Sequence, residues 1–487
     1  MSAMLWMKIL WGMLLAGLLG FTFHRAWSWE HGASPPALFA RSVGKETFVF
    51  VPPTVLFWVL LLLTLLFMWQ YGVSDGLARA AALAGDVTLF LCFYFLLLLA
   101  LLPLLRKRIS ARACAVLWLT PAFLTWQGRA IVTALPPPRR TIFVPRSALP
   151  AVGAVWLAGF LAVGGYYLIS HLRFRAWVDE HAEMEWDAAV RALWKREREA
   201  LEYKREVTLL RADVPAPFSM GRTNRSRCTV LPRRGYTPEE LTMIFRHELH
   251  HLQRCDVDTK FFLCLCKALC WFNPLVWIAT RKAAEDLERS CDEIVAEGMD
   301  DLQRRDYARL LLDAAAPGRG FTTCLSAAAG TLRYRLKSIV ERLPRARGTA
   351  LLMTAMFLCT LGYGTVSFSD ARGSFNELIL PEGTEVRSII DTRGDKTVYW
   401  RPEIAAVRAA LEGVELEHVA GLRKPIMPNA NVTLTLSGGR FATLTDQMLA
   451  VEDYQHMRGG TADCYLVRGA VDWDAFEAAL RMSETVE

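Results

Sequence analysis

His247-Glu248-Leu249-His250-His251 sets two imidazoles and a carboxylate at a spacing that can activate water. On a helix, positions i and i+4 share a face, so His247 and His251 can hold one metal ion together. Glu248 then borders the same cleft and can take a proton from a water at the metal, the arrangement metallopeptidases use. The plainer alternative is a surface helix that happens to carry two histidines. Thirty-seven residues after His251 comes Glu288, within Glu285-Asp286-Leu287-Glu288-Arg289-Ser290-Cys291-Asp292, which reads as helical. Zinc in a hydrolase takes three protein ligands and keeps one position open, and Glu288 is the natural third ligand. Asp292, one turn on, can accept a hydrogen bond from the back nitrogen of a ligating imidazole and so fix its tautomer. An exposed acidic helix face is the plain reading of this second segment taken alone; two helices that each carry metal-site spacing argue against it. His250 points elsewhere on its helix and reads as a surface or supporting residue.

The elements that must position these groups are also legible. Thr237-Pro238-Glu239-Glu240 supplies a capping Thr, a Pro at the first helical position and a Glu three residues after the cap. Pro217-Phe218-Ser219-Met220-Gly221 through Cys228-Thr229-Val230-Leu231-Pro232 leads into the histidine helix; Trp271-Phe272-Asn273-Pro274-Leu275-Val276-Trp277 precedes the glutamate helix. In the order and spacing of these motifs the chain resembles the membrane metallopeptidases of the BlaR/MecR type, the antirepressor sensor-transducers of β-lactam resistance. The resemblance spans roughly Leu96 to Val366. It implies a zincin-like domain facing the cytoplasm that cleaves a protein substrate, with Zn2+ held by His247, His251 and Glu288 and with Glu248 as general base.

Composition argues independently against a freely soluble enzyme: 53% of the 487 residues are hydrophobic, and the net charge is +7. Six apolar runs approach the roughly 20 residues needed to span a bilayer: Met4–Phe23, Pro53–Trp69, Leu89–Leu105, Ala113–Val132, Ala151–Ile169 and Leu351–Val366. The first contains Lys8 and resembles a signal-peptide core; it is read here as a retained span. The fourth, interrupted by Pro121, Gln127, Gly128 and Arg129, is expected to pack against its neighbours. Arg106-Lys107-Arg108, Arg173, Arg175, Arg342, Arg345 and Arg347 mark cytoplasmic flanks, while Arg139, Arg140 and Arg146 in the short outer loop go against the rule. Phe261–Ala279 also looks long enough to cross, but crossing would put His247 and Glu288 on opposite sides of the membrane. It is read as a buried or interfacial hairpin arm, with Asn273 and Pro274 starting the glutamate helix.

Most of the eleven cysteines, Cys228, Cys255, Cys264, Cys266, Cys270, Cys291 and Cys324 among them, fall in the segment assigned to the reducing cytoplasm and read as small buried residues. Val207–Leu210 and Arg227–Leu231 alternate like strands and should form a small sheet beside the histidine helix, offering an edge for a substrate backbone. Ala176–Arg205 reads as a solvated charged helix, and Ala316–Gly330 as a flexible loop. In the C-terminal region no serine has a lysine three places on, and Lys396-Thr397-Val398 lacks the glycine of Lys-Thr-Gly, so β-lactam binding is not expected. Strand-like runs at Glu377–Leu380, Thr397–Trp400, Val432–Leu436 and Cys464–Val467 alternate there with helices near Pro402–Glu412 and Trp473–Met482.

The whole reads as a mostly α membrane protein: a helical transmembrane bundle with an inserted zincin-like (α+β, Glu third ligand) metalloprotease domain and a small α+β extracytoplasmic C-terminal domain. The expected divisions are 1–85, an N-terminal membrane segment with two extra spans; 86–170, the transmembrane spans of the family; 171–347, the cytoplasmic protease domain; 348–367, the last span; and 368–487, the accessory or sensor domain. The resemblance makes the partner a cytoplasmic protein, a DNA-binding repressor or the chain itself, cut between Ala315 and Leu332, with no direct contact to nucleic acid. A silent transducer with a structural zinc and a constitutive membrane maturation protease are the competing readings.

Overall fold

The structure is a computed structural model describing residues 3–32, 49, 55–122, 137–221, 227–314, 329–340, 345–393, 397–400, 403–419, 431–453 and 462–483. Three of its helices are long and apolar enough to cross a bilayer: Leu5–Glu30, Gly76–Leu105 and Leu149–His181. Val55–Tyr71 and Thr349–Gly362 are apolar but shorter. The first helix lies along Thr349–Gly362 at close range because glycines line the contact: a Cβ on Gly20 would sit 2.6 Å from Met353 Sδ. Its Lys8 donates to the carbonyls of Leu361 (2.8 Å) and Tyr363 (3.0 Å), carbonyls that the ending helix leaves without partners.

The fourth apolar run, expected to pack against its neighbours, does so in its described part. Among its described residues Ala111–Leu117 is α-helical with every residue buried, and a short 3-10 turn follows at 120–122; residues 123–136 lie outside the described ones. Polar anchors draw this segment into the protein. The Ala111 amide donates to Glu293 (2.6 Å), the Trp118 indole to Asp286 (2.8 Å), and Arg112 pairs with Glu30 (3.2 Å). An apolar run with such anchors is protein core, which hydropathy alone does not distinguish from a lipid-facing span.

The central domain begins where Leu149–His181 leaves the membrane region. Its sheet has the order Glu183–Met184, Thr208–Ala212, Cys228–Pro232, Phe218–Met220, with the two middle strands parallel. The two strands expected from alternation are therefore interior; the edges are Glu183–Met184 and Phe218–Met220, and the latter packs against the histidine helix. The expected solvated helix is also revised. Ala188–Ala200 buries Val190, Trp194 and Glu197 against the histidine helix, with the Trp194 and Phe245 rings 4.9 Å apart, because its apolar residues recur at helical spacing.

Phe261–Ala279 divides between two helices, Asp256–Leu269 and Pro274–Val295, broken at Asn273, whose side chain caps the Leu275 amide (3.0 Å). This hairpin shares one apolar core with the membrane helices. Gly159 makes room for it, since a Cβ there would lie 2.1 Å from the Trp271 ring. Its tip exposes Phe272, Leu275, Trp277 and Ile278, an apolar surface suited to the bilayer interface. Asp301–Ala314 and Ala329–Val340 complete the domain. The Ala316–Gly330 loop lies outside the described residues except for 329–330, which open the latter helix.

Residues Val366–Ser369 pair in parallel with Arg140–Phe143, in the short segment that precedes Leu149–His181. Beyond them, an antiparallel sheet runs in the order Ala371–Ser374, Glu415–His418, Ala462–Arg468, Met448–Asp453, Arg440–Leu444, Val432–Leu436, Val386–Asp391, Val398–Trp400. Ile404–Ala410 and Trp473–Ser483 cover it through Val407, Phe476 and Leu480. The strand expected at Glu377–Leu380 is instead a helical turn, Phe375–Leu378. Ser374 and Glu377 close a capping box there, and the box outweighs the β preference of so short a run.

Candidate metal centre

The histidine helix, Pro238–Gln253, starts on a capping box: the Glu240 amide donates to Thr237 Oγ1 (3.2 Å) and the Thr237 amide to Glu240 (2.8 Å). Its i, i+4 geometry brings His247 Nε2 and His251 Nε2 to 3.1 Å. Pro274–Val295 crosses this helix and sets Glu288 Oε2 at 3.6 Å from each of these nitrogens. All three ligand atoms face one point. For zinc at bond lengths near 2.0–2.2 Å, the edges of a tetrahedral ligand set are roughly 3.3–3.5 Å, close to these spacings.

The back nitrogens say which tautomers are present. Tyr307 donates its hydroxyl to Asp292 (2.9 Å), so its oxygen accepts from His247 Nδ1–H (3.0 Å). His251 Nδ1–H donates to Asp256 (2.7 Å). With both rings neutral, these back-side bonds turn the two Nε2 lone pairs toward each other across 3.1 Å, a contact that a shared cation converts into ligation. Two imidazoles and a carboxylate are a donor set that suits zinc. Burial opposes charge on Glu288, yet His251 and Lys260 hold its carboxyl well below the usual range. Burial likewise disfavours charge on His251, but Cys291, Glu288 and Asp256 push its pKa well above the ordinary value. Both directions report a strongly anionic pocket, which attracts a cation. Cys291 Sγ sits 3.4 Å from His251 Nδ1 and 3.7 Å from Asp256; this second His-Asp-Cys group lies at the back of the ring and holds His251 in place.

Glu248 is buried beside His247, and among the described residues its carboxylate has no hydrogen-bond or ion-pair partner. That leaves it available to a water. Asp292 stands behind His247 at 3.4 Å and is gripped by two 2.7 Å hydrogen bonds from Arg335. The Tyr307 hydroxyl makes the direct link between them. Arg335 also reaches Glu288 (3.4 Å) from one side, and Lys260 from the other (3.4 Å). His250 is not at the surface: it is buried, and burial together with the neighbouring Arg254 pushes its pKa down to about 3. Arg254 caps the helix from within the protein, bonded to Glu30 (2.6 and 3.1 Å) and Ser290 (3.0 Å).

Asp256, Tyr307 and Arg335 carry the support of the two imidazoles, and sequence reasoning assigned none of them a role. Asp256 turns back on His251 because Cys255 adopts a left-handed conformation (φ 56°), unusual for a residue with a side chain. Tyr307 left a faint signal, as a single aromatic in a strongly charged helix.

Residues 137–343 match the family model described as BlaR1 peptidase M56. The Regulatory protein BlaR1 of Bacillus licheniformis is 25% identical over 244 residues, which take in 48% of this chain and 40% of the relative. The match thus spans two fifths of the relative's length.

Proposed function

For a chain that carries a peptidase domain of the BlaR1 M56 type, we propose a membrane-embedded, zinc-dependent endopeptidase of the signal-transducing antirepressor kind. It cuts a cytoplasmic protein, a DNA-binding repressor or the chain itself, when its extracytoplasmic domain receives a cue. One observation carries this reading: the Nε2 atoms of two imidazoles and the Glu288 carboxylate converge on one point, with the next residue along the helix, Glu248, buried and without a partner among the described residues.

His247, His251 and Glu288 would hold the zinc. When bound, zinc supplies Lewis acidity, polarising a scissile carbonyl and making water easier to deprotonate. Glu248 accepts the proton of the attacking water and delivers it to the leaving amine. Tyr307 and Asp256 keep both rings in the tautomer that offers Nε2. The free edge of Phe218–Met220 gives an extended substrate backbone a strand to pair with beside the histidine helix. Three protein ligands with an unengaged carboxylate beside them favour catalysis over a structural zinc, which takes four protein ligands.

The orientation follows from charge. Arg106, in the basic connection expected inside, grips Asp286 of the glutamate helix (2.9 and 2.7 Å), and Arg345 grips Glu293 (2.9 Å). The basic flanks and the candidate centre thus lie together, which supports a cytoplasmic catalytic domain. Labelling of a cysteine placed at exposed Glu382 only from the cytoplasmic side would overturn this orientation. Function is tested in cells expressing wild type and Glu248→Gln, each with a C-terminal tag. The expected result is a wild-type fragment starting between Ala315 and Leu332 that the variant lacks. Identical full-length bands under every inducing condition would leave cleavage in trans as the activity to assay.

A further inference from the structure

The short outer loop carries basic residues where the distribution of charge about a membrane disfavours them, and the structure shows where they go. Arg139 and Arg140 line a cleft of about 490 Å³ together with Arg372, Arg468, Glu415 and Glu417. The cleft forms at the seam between Arg140–Phe143 and the first strands of the C-terminal sheet. Its floor is preset. Glu417 is buried (2% exposed) and accepts hydrogen bonds from Ser369 (2.6 Å), Arg372 (2.5 Å) and Arg468 (2.8 Å). Arg468 also donates to Thr141 (2.8 Å), tying the sheet to the loop. Glu417 engages Arg372 and Arg468, yet both side chains stay partly exposed, 48% and 40%. Arg139 and Arg140 are held by their backbone, through amides bonded to the Thr365 carbonyl (2.9 and 3.1 Å) and through the pairing of Arg140 with Val366. Their side chains are exposed and have no acidic partner among the described residues. Four arginines against two glutamates leave the cleft cationic.

Position narrows the ligand. Arg140–Phe143 ends six residues before the long apolar helix Leu149–His181, and Val366–Ser369 begins four residues after Thr349–Gly362. Ile142 and Phe143 remain exposed beside the arginines, with Arg372 stacked 4.7 Å over the Phe143 ring. Exposed apolar side chains next to unpaired guanidinium groups, at the foot of two membrane helices, match the boundary between acyl chains and headgroups.

We propose that this cleft binds the phosphate of an anionic lipid headgroup, with Arg139 and Arg140 as the free cationic contacts and Arg372 and Arg468, oriented by Glu417, as the directional ones. Guanidinium groups suit this role because they bond phosphate oxygens in pairs. The site is separate from the metal centre and does not depend on the peptidase reading.

The test uses the full chain in nanodiscs of phosphatidylcholine, with and without phosphatidylglycerol, and counts retained lipid by native mass spectrometry. Wild type should retain phosphatidylglycerol selectively. Arg139→Gln/Arg140→Gln should retain it about 25-fold more weakly, at roughly fivefold for each basic residue near an anionic surface. Both residues are at the surface, so the variant should fold and keep its metal content. Equal retention by wild type and variant, or no preference over phosphatidylcholine, would overturn the proposal. Displacement of the lipid by equimolar pyrophosphate would assign the cleft to a soluble phosphate and overturn the lipid source.

Discussion

The interior behind His251 and the interior of the C-terminal sheet are built from different materials. Behind His251 lie Asp256 and the linked group Glu30, Arg112 and Arg254, and further along the glutamate helix Asp286 and Arg289, all buried and mostly ion-paired. Inside the C-terminal domain lie Phe375, Val407, Leu434, Leu449, Phe476 and Leu480, all hydrocarbon. Buried charge is a poor way to stabilise a fold, because desolvation offsets most of the Coulomb gain, whereas apolar burial stabilises directly. Charge kept in an interior at that cost points to placement, and here it places two imidazoles and a carboxylate within 3.6 Å of one another. The C-terminal domain also buries charge, at Asp370, Asp391, Glu417 and His418, but in pairs beside its apolar core rather than in place of it.

The contrast can be broken most severely at the ligands. His247→Ala and Glu288→Ala should each lose nearly all bound zinc and all proteolysis. Metal analysis of purified protein, expected to give about one zinc per wild-type chain, checks this, and full occupancy in both variants would sink the ligand assignment. Glu248→Gln separates chemistry from binding. It should keep its metal and lose about 100- to 10,000-fold in rate, the usual contribution of a positioned general base.

A matched pair sharpens the comparison further. Glu30→Gln removes one partner of Arg254 and Arg112, and Phe476→Ala hollows the C-terminal core; each should destabilise by about 3–5 kcal/mol. Only the first should also lower metal affinity, since Arg254 contacts Ser290 beside the glutamate helix's metal face. If both variants bind zinc like wild type once folded, the charged interior has no placing role. Tyr307→Phe is the mildest test. Losing the hydroxyl between His247 and Asp292 should weaken zinc binding about 10- to 100-fold with little change in fold, read by competition with a chelator.

These two interiors were also unequally legible in the sequence. The histidine pair was readable because helix periodicity is local: residues four apart must share a face whatever surrounds them. The Thr237 capping box and the Asn273-Pro274 start are local for the same reason, as is the alternation of Val432–Leu436, a strand in the structure. The described part of Ala113–Val132 packs inside the protein, as its interruptions suggested, but its anchors Asp286 and Glu293 lie far away in sequence and hydropathy could not name them.

What the sequence by itself determined, then, was every feature carried by a few consecutive residues: helix starts, the face shared by His247 and His251, and the apolar character of the membrane helices. Only the tertiary structure decided which distant groups meet. Asp256 reaches His251 through a left-handed turn at Cys255. Tyr307 and Arg335 arrive from two later helices, and residues 140–143 pair with 366–369 across more than two hundred positions. Such contacts form only when the whole chain's packing offsets the entropy of closing long loops, and that balance is not written at any single position.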